Sequence, residues 1–179
     1  MSFWSVFFSV LAGIVAGVFI NLGLRFVENK LAEKKDIKNL IFEIGFNIKR
    51  IDSLVEELQK YRDALNANNL KNYFGYFPLS KVIVSTLNQM VFKGSIYKHL
   101  GHEEISWLQN FFVDFSPGTE GFINSQVGHN KEKFHTILGT NPDVKAKVDS
   151  EINWWKEKLI KYKTDLGSIK NKLEGSKKA

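Results

Sequence analysis

The chain contains no cysteine. This excludes a disulfide framework and thiolate metal centres, and it fits a reducing compartment. Proline is scarce, with three in 179 residues and none before Pro78. Helix formation can therefore proceed without a break through residues 1–69. Charge is missing from the first 24 residues, and no basic cluster precedes the apolar run. A cleaved signal peptide needs that basic cluster, a shorter apolar core and a small-residue cleavage site, so this segment is expected to be retained. P-loop, dinucleotide, HExxH and GxSxG patterns are also missing, and with them the commonest phosphate, zinc and serine-nucleophile chemistries. The net charge of +6 is spread along the chain rather than gathered in a patch.

The apolar stretch runs from Phe3 to Leu24. At the helical rise it extends roughly 33 Å, enough to cross a hydrocarbon layer of about 30 Å. Arg25, Lys30, Lys34, Lys35 and Lys38 follow it. The positive-inside rule then places the remainder in the cytoplasm and the N-terminus outside, with Trp4 at the far interface. The expected division is a transmembrane helix over 1–27, a cytoplasmic antiparallel helical bundle over 28–174 and a disordered tail over 175–179.

Within the span, Ser5, Ser9, Gly13, Gly17 and Asn21 recur every fourth residue, and Gly13 to Gly17 is a GxxxG match. Small residues let helix backbones approach closely in lipid. Each four-residue step overshoots one turn by about 40°, so the stripe drifts about 160° from Ser5 to Asn21. It can face one neighbour at one end and another neighbour, or a lumen, at the other. Asn21 and Arg25 would then form polar rings at the cytoplasmic mouth, as pore-lining side chains do. The plainer reading of Arg25 is a marker of the membrane edge.

Beyond the span the pattern stays helical. Ile37, Ile44, Ile51, Leu58 and Leu65 repeat at seven residues, with Ile41, Ile48 and Val55 in a second row and Leu40, Leu54 and Tyr61 beside them. Gly23 and Gly45 are the expected bending points. Residues 66–78 read as a connection, 80–92 as a second helix, His102 onward as a third helix broken at Pro117, and 119–138 as a fourth. Asn141 before Pro142 and Asp143 is a helix start. From there Val148, Trp155, Tyr162 and Ile169 form one seven-residue row, and Ile152, Leu159, Leu166 and Leu173 another. The fold class is all-α. Trp154 cannot share a face with Trp155 and is a candidate subunit contact.

His99, His102 and Glu103 lie close together, but no second ligand cluster accompanies them, so no metal and no cofactor is expected. Asn124 and His129 are separated by four residues, and Asn130 and His135 repeat the spacing. HEPN-type nucleases carry Arg and His at such a spacing on a helical bundle. There the Arg stabilises phosphate charge and the His moves a proton. None of Arg25, Arg50 and Arg62 precedes a histidine suitably. An Asn can hydrogen-bond phosphate without neutralising it, so the motif is degenerate and no catalytic residue is assigned.

One N-terminal span, a helical bundle, this length and the Asn/His spacing together resemble the small membrane accessory proteins of type VI-B CRISPR systems. The resemblance implies a homo-oligomeric ring in the bacterial inner membrane. That ring would be a pore that depolarises the cell in antiviral defence and acts functionally with an RNA-guided RNase. Two alternatives stand beside this non-enzymatic pore: a membrane-tethered HEPN-like RNase and a passive membrane-anchored scaffold.

Overall fold

A computed structural model describes the backbone of residues 3–133 and 141–175, with side chains from residue 14 onward within those ranges. Among the described residues the chain is entirely helical, without strands. The helices are α1 (Phe3–Asn66), α2 (Ser85–Phe92), α3 (His102–Asp114), α4 (Pro117–Lys133) and α5 (Pro142–Gly175). Single 3-10 turns occupy Leu70–Asn72, Leu79–Lys81 and Ser95–Lys98. Of the expected tail over 175–179, Gly175 is the last residue of α5, and residues 176–179 lie outside the described residues.

Contacts divide the chain into two compact units, Met1–Asn39 and Leu40–Ala179. In the first, α1 exposes every large apolar side chain described between Ile14 and Leu31, at 47–70% of full accessibility. The lysine of Lys30 lies 4.6 Å from the Phe26 ring centre. Among the described residues no helix is long and apolar enough to cross a membrane. The first half of the run Phe3–Leu24 has its side chains outside that set.

The second unit is the bundle. The seven-residue row of α1 is buried as its spacing requires: Ile44, Ile51, Leu58 and Leu65 are all at 6% exposure or less, and Ile37 before them is buried too. Ile41, Ile48 and Val55 are half-buried. On α5, Val148, Ile152, Leu159, Leu166, Ile169 and Leu173 are buried, while Trp155 and Tyr162 are half-buried. Paired side chains give the direction of packing. Lys145 reaches Asn68, Arg62 makes a bidentate pair with Asp149 at 2.7 and 3.1 Å, Lys156 donates to Gln59 and Lys163 meets Asp52. Partners on α1 move back toward its N-terminus as α5 advances, so the two helices are antiparallel. The α3 helix also runs antiparallel to α5, with Glu104 on Lys172 and Asp114 on Lys158. Between them Phe111 is enclosed by Trp107, Phe112, Phe115 and Tyr162.

Local chemistry sets the ends. The α1 helix closes with Asn68 at φ 54°, and Asn69 N–H reaches back to the Ala64 carbonyl at 2.8 Å. This is the left-handed closure that Asn tolerates. Pro117 does not merely end α3. Ser116 caps α4, its hydroxyl accepting from Thr119 N–H at 3.3 Å, and Pro117 is the first helical residue, where a missing N–H costs nothing. Asn141 caps α5 through the N–H groups of Asp143 and Val144. The second helix begins at Ser85 rather than residue 80, because β-branched Val82, Ile83 and Val84 stay out of the helix.

Candidate functional site

The residues singled out on α4 lie on different faces. The Asn124 amide nitrogen donates to the Phe77 carbonyl at 3.0 Å and to the Glu120 carbonyl at 2.9 Å, and its oxygen accepts from Phe77 N–H at 2.9 Å. One turn earlier, Glu120 accepts from Ser80 N–H at 2.6 Å and from the Tyr76 hydroxyl. These bonds hold the Glu120 carboxyl below its ordinary range and raise the Tyr76 phenol. Asn130 donates to the Tyr61 hydroxyl at 3.0 Å; burial raises that phenol and the bond partly offsets it. Lys131 donates to the Tyr73 carbonyl and sits 4.9 Å from the Phe74 ring centre. This face of α4 is thus stitched to the connection between α1 and α2.

The same connection is tied to α1. The Tyr73 hydroxyl donates to Glu57 at 2.8 Å, and burial with that carboxylate raises the phenol. Gly75 passes so near that an added Cβ would fall 1.7 Å from a Glu57 oxygen and 2.1 Å from the Tyr73 hydroxyl oxygen. Further along, buried Asn47 exchanges two hydrogen bonds with the Ile83 backbone at 2.8 and 2.9 Å. Glu43, one turn before it and also buried, accepts from Ser85 Oγ, Thr86 N–H and Thr86 Oγ1 at 2.6–2.8 Å. A carboxylate at the first turn of α2 satisfies orphan N–H groups and complements the helix dipole. The sequence pattern did not nominate Glu43 or Asn47. A signal existed for Asn47, which interrupts the row Leu40, Leu54 and Tyr61 at the position where an apolar residue is due.

His129 is exposed and turns away from Asn124, as five helical steps demand. It lines a hollow between α4 and α5 together with Phe122, Ser125, Gln126, Asn130, Lys133, Val144, Lys147, Val148 and Glu151. The structure therefore brings His129 and Asn130 to one hollow and leaves Asn124 out of it. His135 lies outside the described residues. No arginine lines the hollow: Arg62 is paired with Asp149, and Arg50 lies against the Phe46 ring. The hollow continues into an apolar groove of about 350 Å³, floored by Leu58, Tyr61, Phe77, Ile123, Val127 and Ile152. Phe122 and Trp154 stay 59% and 55% exposed at its rim.

Of the membrane stripe, Ser5, Ser9 and Gly13 lie outside the residues with described side chains. Gly17, Asn21 and Arg25 are exposed, and a Cβ on Gly17 would meet nothing within 4 Å. Among the described residues no group of three or more His, Cys, Asp or Glu side chains could hold a metal. No protein-family model, curated protein or solved structure matches the chain.

Proposed function

We propose that the protein is a membrane-anchored, self-assembling effector whose N-terminal helix crosses a lipid bilayer and, in several copies, forms a pore. The observation that carries this reading is the helix surface from Ile14 to Leu31. Ten large apolar side chains stand exposed there, following a stretch with no charge. Up to Leu24 that surface carries no charge, and a helix segment that is apolar on all faces belongs in lipid or against other helices. Transfer of those side chains out of water is worth on the order of 15 kcal/mol. Gly13 and Gly17 supply the close approach between copies, and Asn21 and Arg25 supply polar rings at one mouth. The bundle lies on the cytoplasmic side and provides most of the assembly contacts. The resemblance to type VI-B CRISPR accessory proteins gives the reading its setting: permeabilisation of the inner membrane in antiviral defence, in functional partnership with an RNA-guided RNase. In the degenerate Asn/His motif, Asn124 acts structurally, since its amide is spent on Phe77 and Glu120.

Replacing residues 1–24 by an unrelated single span, followed by dye efflux from loaded liposomes, tests the reading. Loss of efflux with the bundle still folded is the expected result. Unchanged efflux, or no efflux from either protein, refutes the pore, and retained cellular function with the foreign span supports a passive anchor instead.

A further inference from the structure

The cleft between α4 and α5 has two chemically distinct ends joined by shared walls. Its apolar end, about 350 Å³, is flanked by exposed Phe122 and Trp154. Its other end, about 610 Å³, carries His129, Lys133 and Lys147 against one acid, Glu151. Phe122, Gln126, Asn130, Val148 and Glu151 line both, so the two are continuous. Lys147 and Lys161 are the two lysines of α5 without a named partner among the described residues, and of these Lys147 lines the cleft. Lys145, Lys156, Lys158, Lys163, Lys170 and Lys172 each hold a named partner. Lys147 has none among the described residues, although Glu151 follows it by one turn. Lysine before glutamate is the weaker order for such a pair.

We infer that this cleft binds an anionic single-chain amphipath of the fatty-acid class. Its hydrocarbon lies along Phe122, Val127, Ile152 and Trp155, and its carboxylate is drawn to Lys147 and Lys133. Charge complementarity selects the occupant: Lys133 and Lys147 outweigh Glu151 at one end, and an aromatic and aliphatic wall, charged only at the shared Glu151, lines the other. The size is that of a small-molecule site, within the usual few hundred Å³. Each buried methylene strengthens binding about fourfold, so affinity climbs with chain length until the apolar end is full. The inference concerns the unit Leu40–Ala179 alone and stands whether or not α1 crosses a membrane.

The test uses the full chain in lipid nanodiscs with Trp4→Phe and Trp107→Phe, leaving Trp154 and Trp155 as reporters. The probe is 11-bromoundecanoate, whose bromine quenches a tryptophan that it touches. Saturable quenching is expected, about fivefold weaker for Lys147→Ala, stronger for Glu151→Gln, and about fivefold weaker for the uncharged bromo-alcohol of equal length. Val127→Phe should fill the apolar end and abolish quenching. If that variant fails to fold, the two exposed charge variants still decide the matter. Equal quenching by acid and alcohol, or indifference to Lys147→Ala, refutes the site. So does absence of quenching together with disulfide-linked dimers of Trp154→Cys, which would mean that a second copy covers the cleft.

Discussion

Asn124 offers the sharpest separation of a structural role from a chemical one. Its amide gives Phe77 both a donor and an acceptor and adds a third bond to the Glu120 carbonyl. That carbonyl already serves the helix, so Asn124→Ala removes two bonds that nothing replaces. At about 1 kcal/mol each, with a further cost for the Phe77 groups left short of partners, the loss is about 2–3 kcal/mol. For a chain of this size that is about 5–10 °C in Tm. Asn124→Asp keeps the acceptor for Phe77 N–H but turns the donor into an oxygen facing two carbonyl oxygens. It should therefore be worse than alanine at neutral pH. It should recover toward about pH 4, where protonation of the introduced carboxylate restores a donor. Urea unfolding of the purified full chain, followed by tryptophan fluorescence, measures both. An aspartate variant as stable as the parent at neutral pH would refute the reasoning, because the amide nitrogen would then be donating nothing.

Other consequences are equally direct. Glu43→Ala strips the acceptor from three donors at the start of α2 and should cost about 2–4 kcal/mol; Glu43→Gln retains an acceptor oxygen and should recover at least half, by the same unfolding measurement. Gly75→Ala forces apart the Tyr73 hydroxyl and Glu57 and should destabilise by about 2 kcal/mol or more, with part of the loss relieved in the double variant with Glu57→Ala. The Glu104 carboxyl is held below its ordinary value by Lys172 and, secondarily, by Gly101 N–H. A lowered folded value means the contribution is present above the unfolded value of 4.5 and fades as pH falls through the folded one. Chemical denaturation across that range should therefore show the parent ahead of Glu104→Gln at neutral pH, with the gap closing in acid.

The long helices were legible because their information is periodic. Ile44, Ile51, Leu58 and Leu65 bury one face at a spacing that any reader of the chain can measure, and Leu159, Leu166 and Leu173 do the same on α5. The antiparallel pairs α1 with α5 and α3 with α5 join helices that are not neighbours in the chain, so no connection length encodes them. Caps were legible where the residue type is diagnostic, as at Asn141 and Pro142. Polar clamps were not, because Glu43 meets Ser85 and Thr86 across more than 40 positions and no local spacing encodes such a pair. Asn124 shows the opposite hazard. Its distance from His129 matches a nuclease-like spacing, yet the helix turns the two side chains to different faces and the amide is used by the backbone of Phe77. Phe112 is half-buried because it sits one step beyond the face that carries Leu108, Phe111 and Phe115. The cleft between α4 and α5 arises from the meeting of two helices, and neither helix announces it alone.

Copy number in lipid tests the central claim most directly. The full chain, extracted in native nanodiscs and weighed by single-particle mass measurement, should appear as a ring of several subunits. Gly13→Leu with Gly17→Leu should shift it toward single copies. A solitary subunit at every protein concentration, or a protein recovered wholly outside the membrane fraction, would contradict the pore.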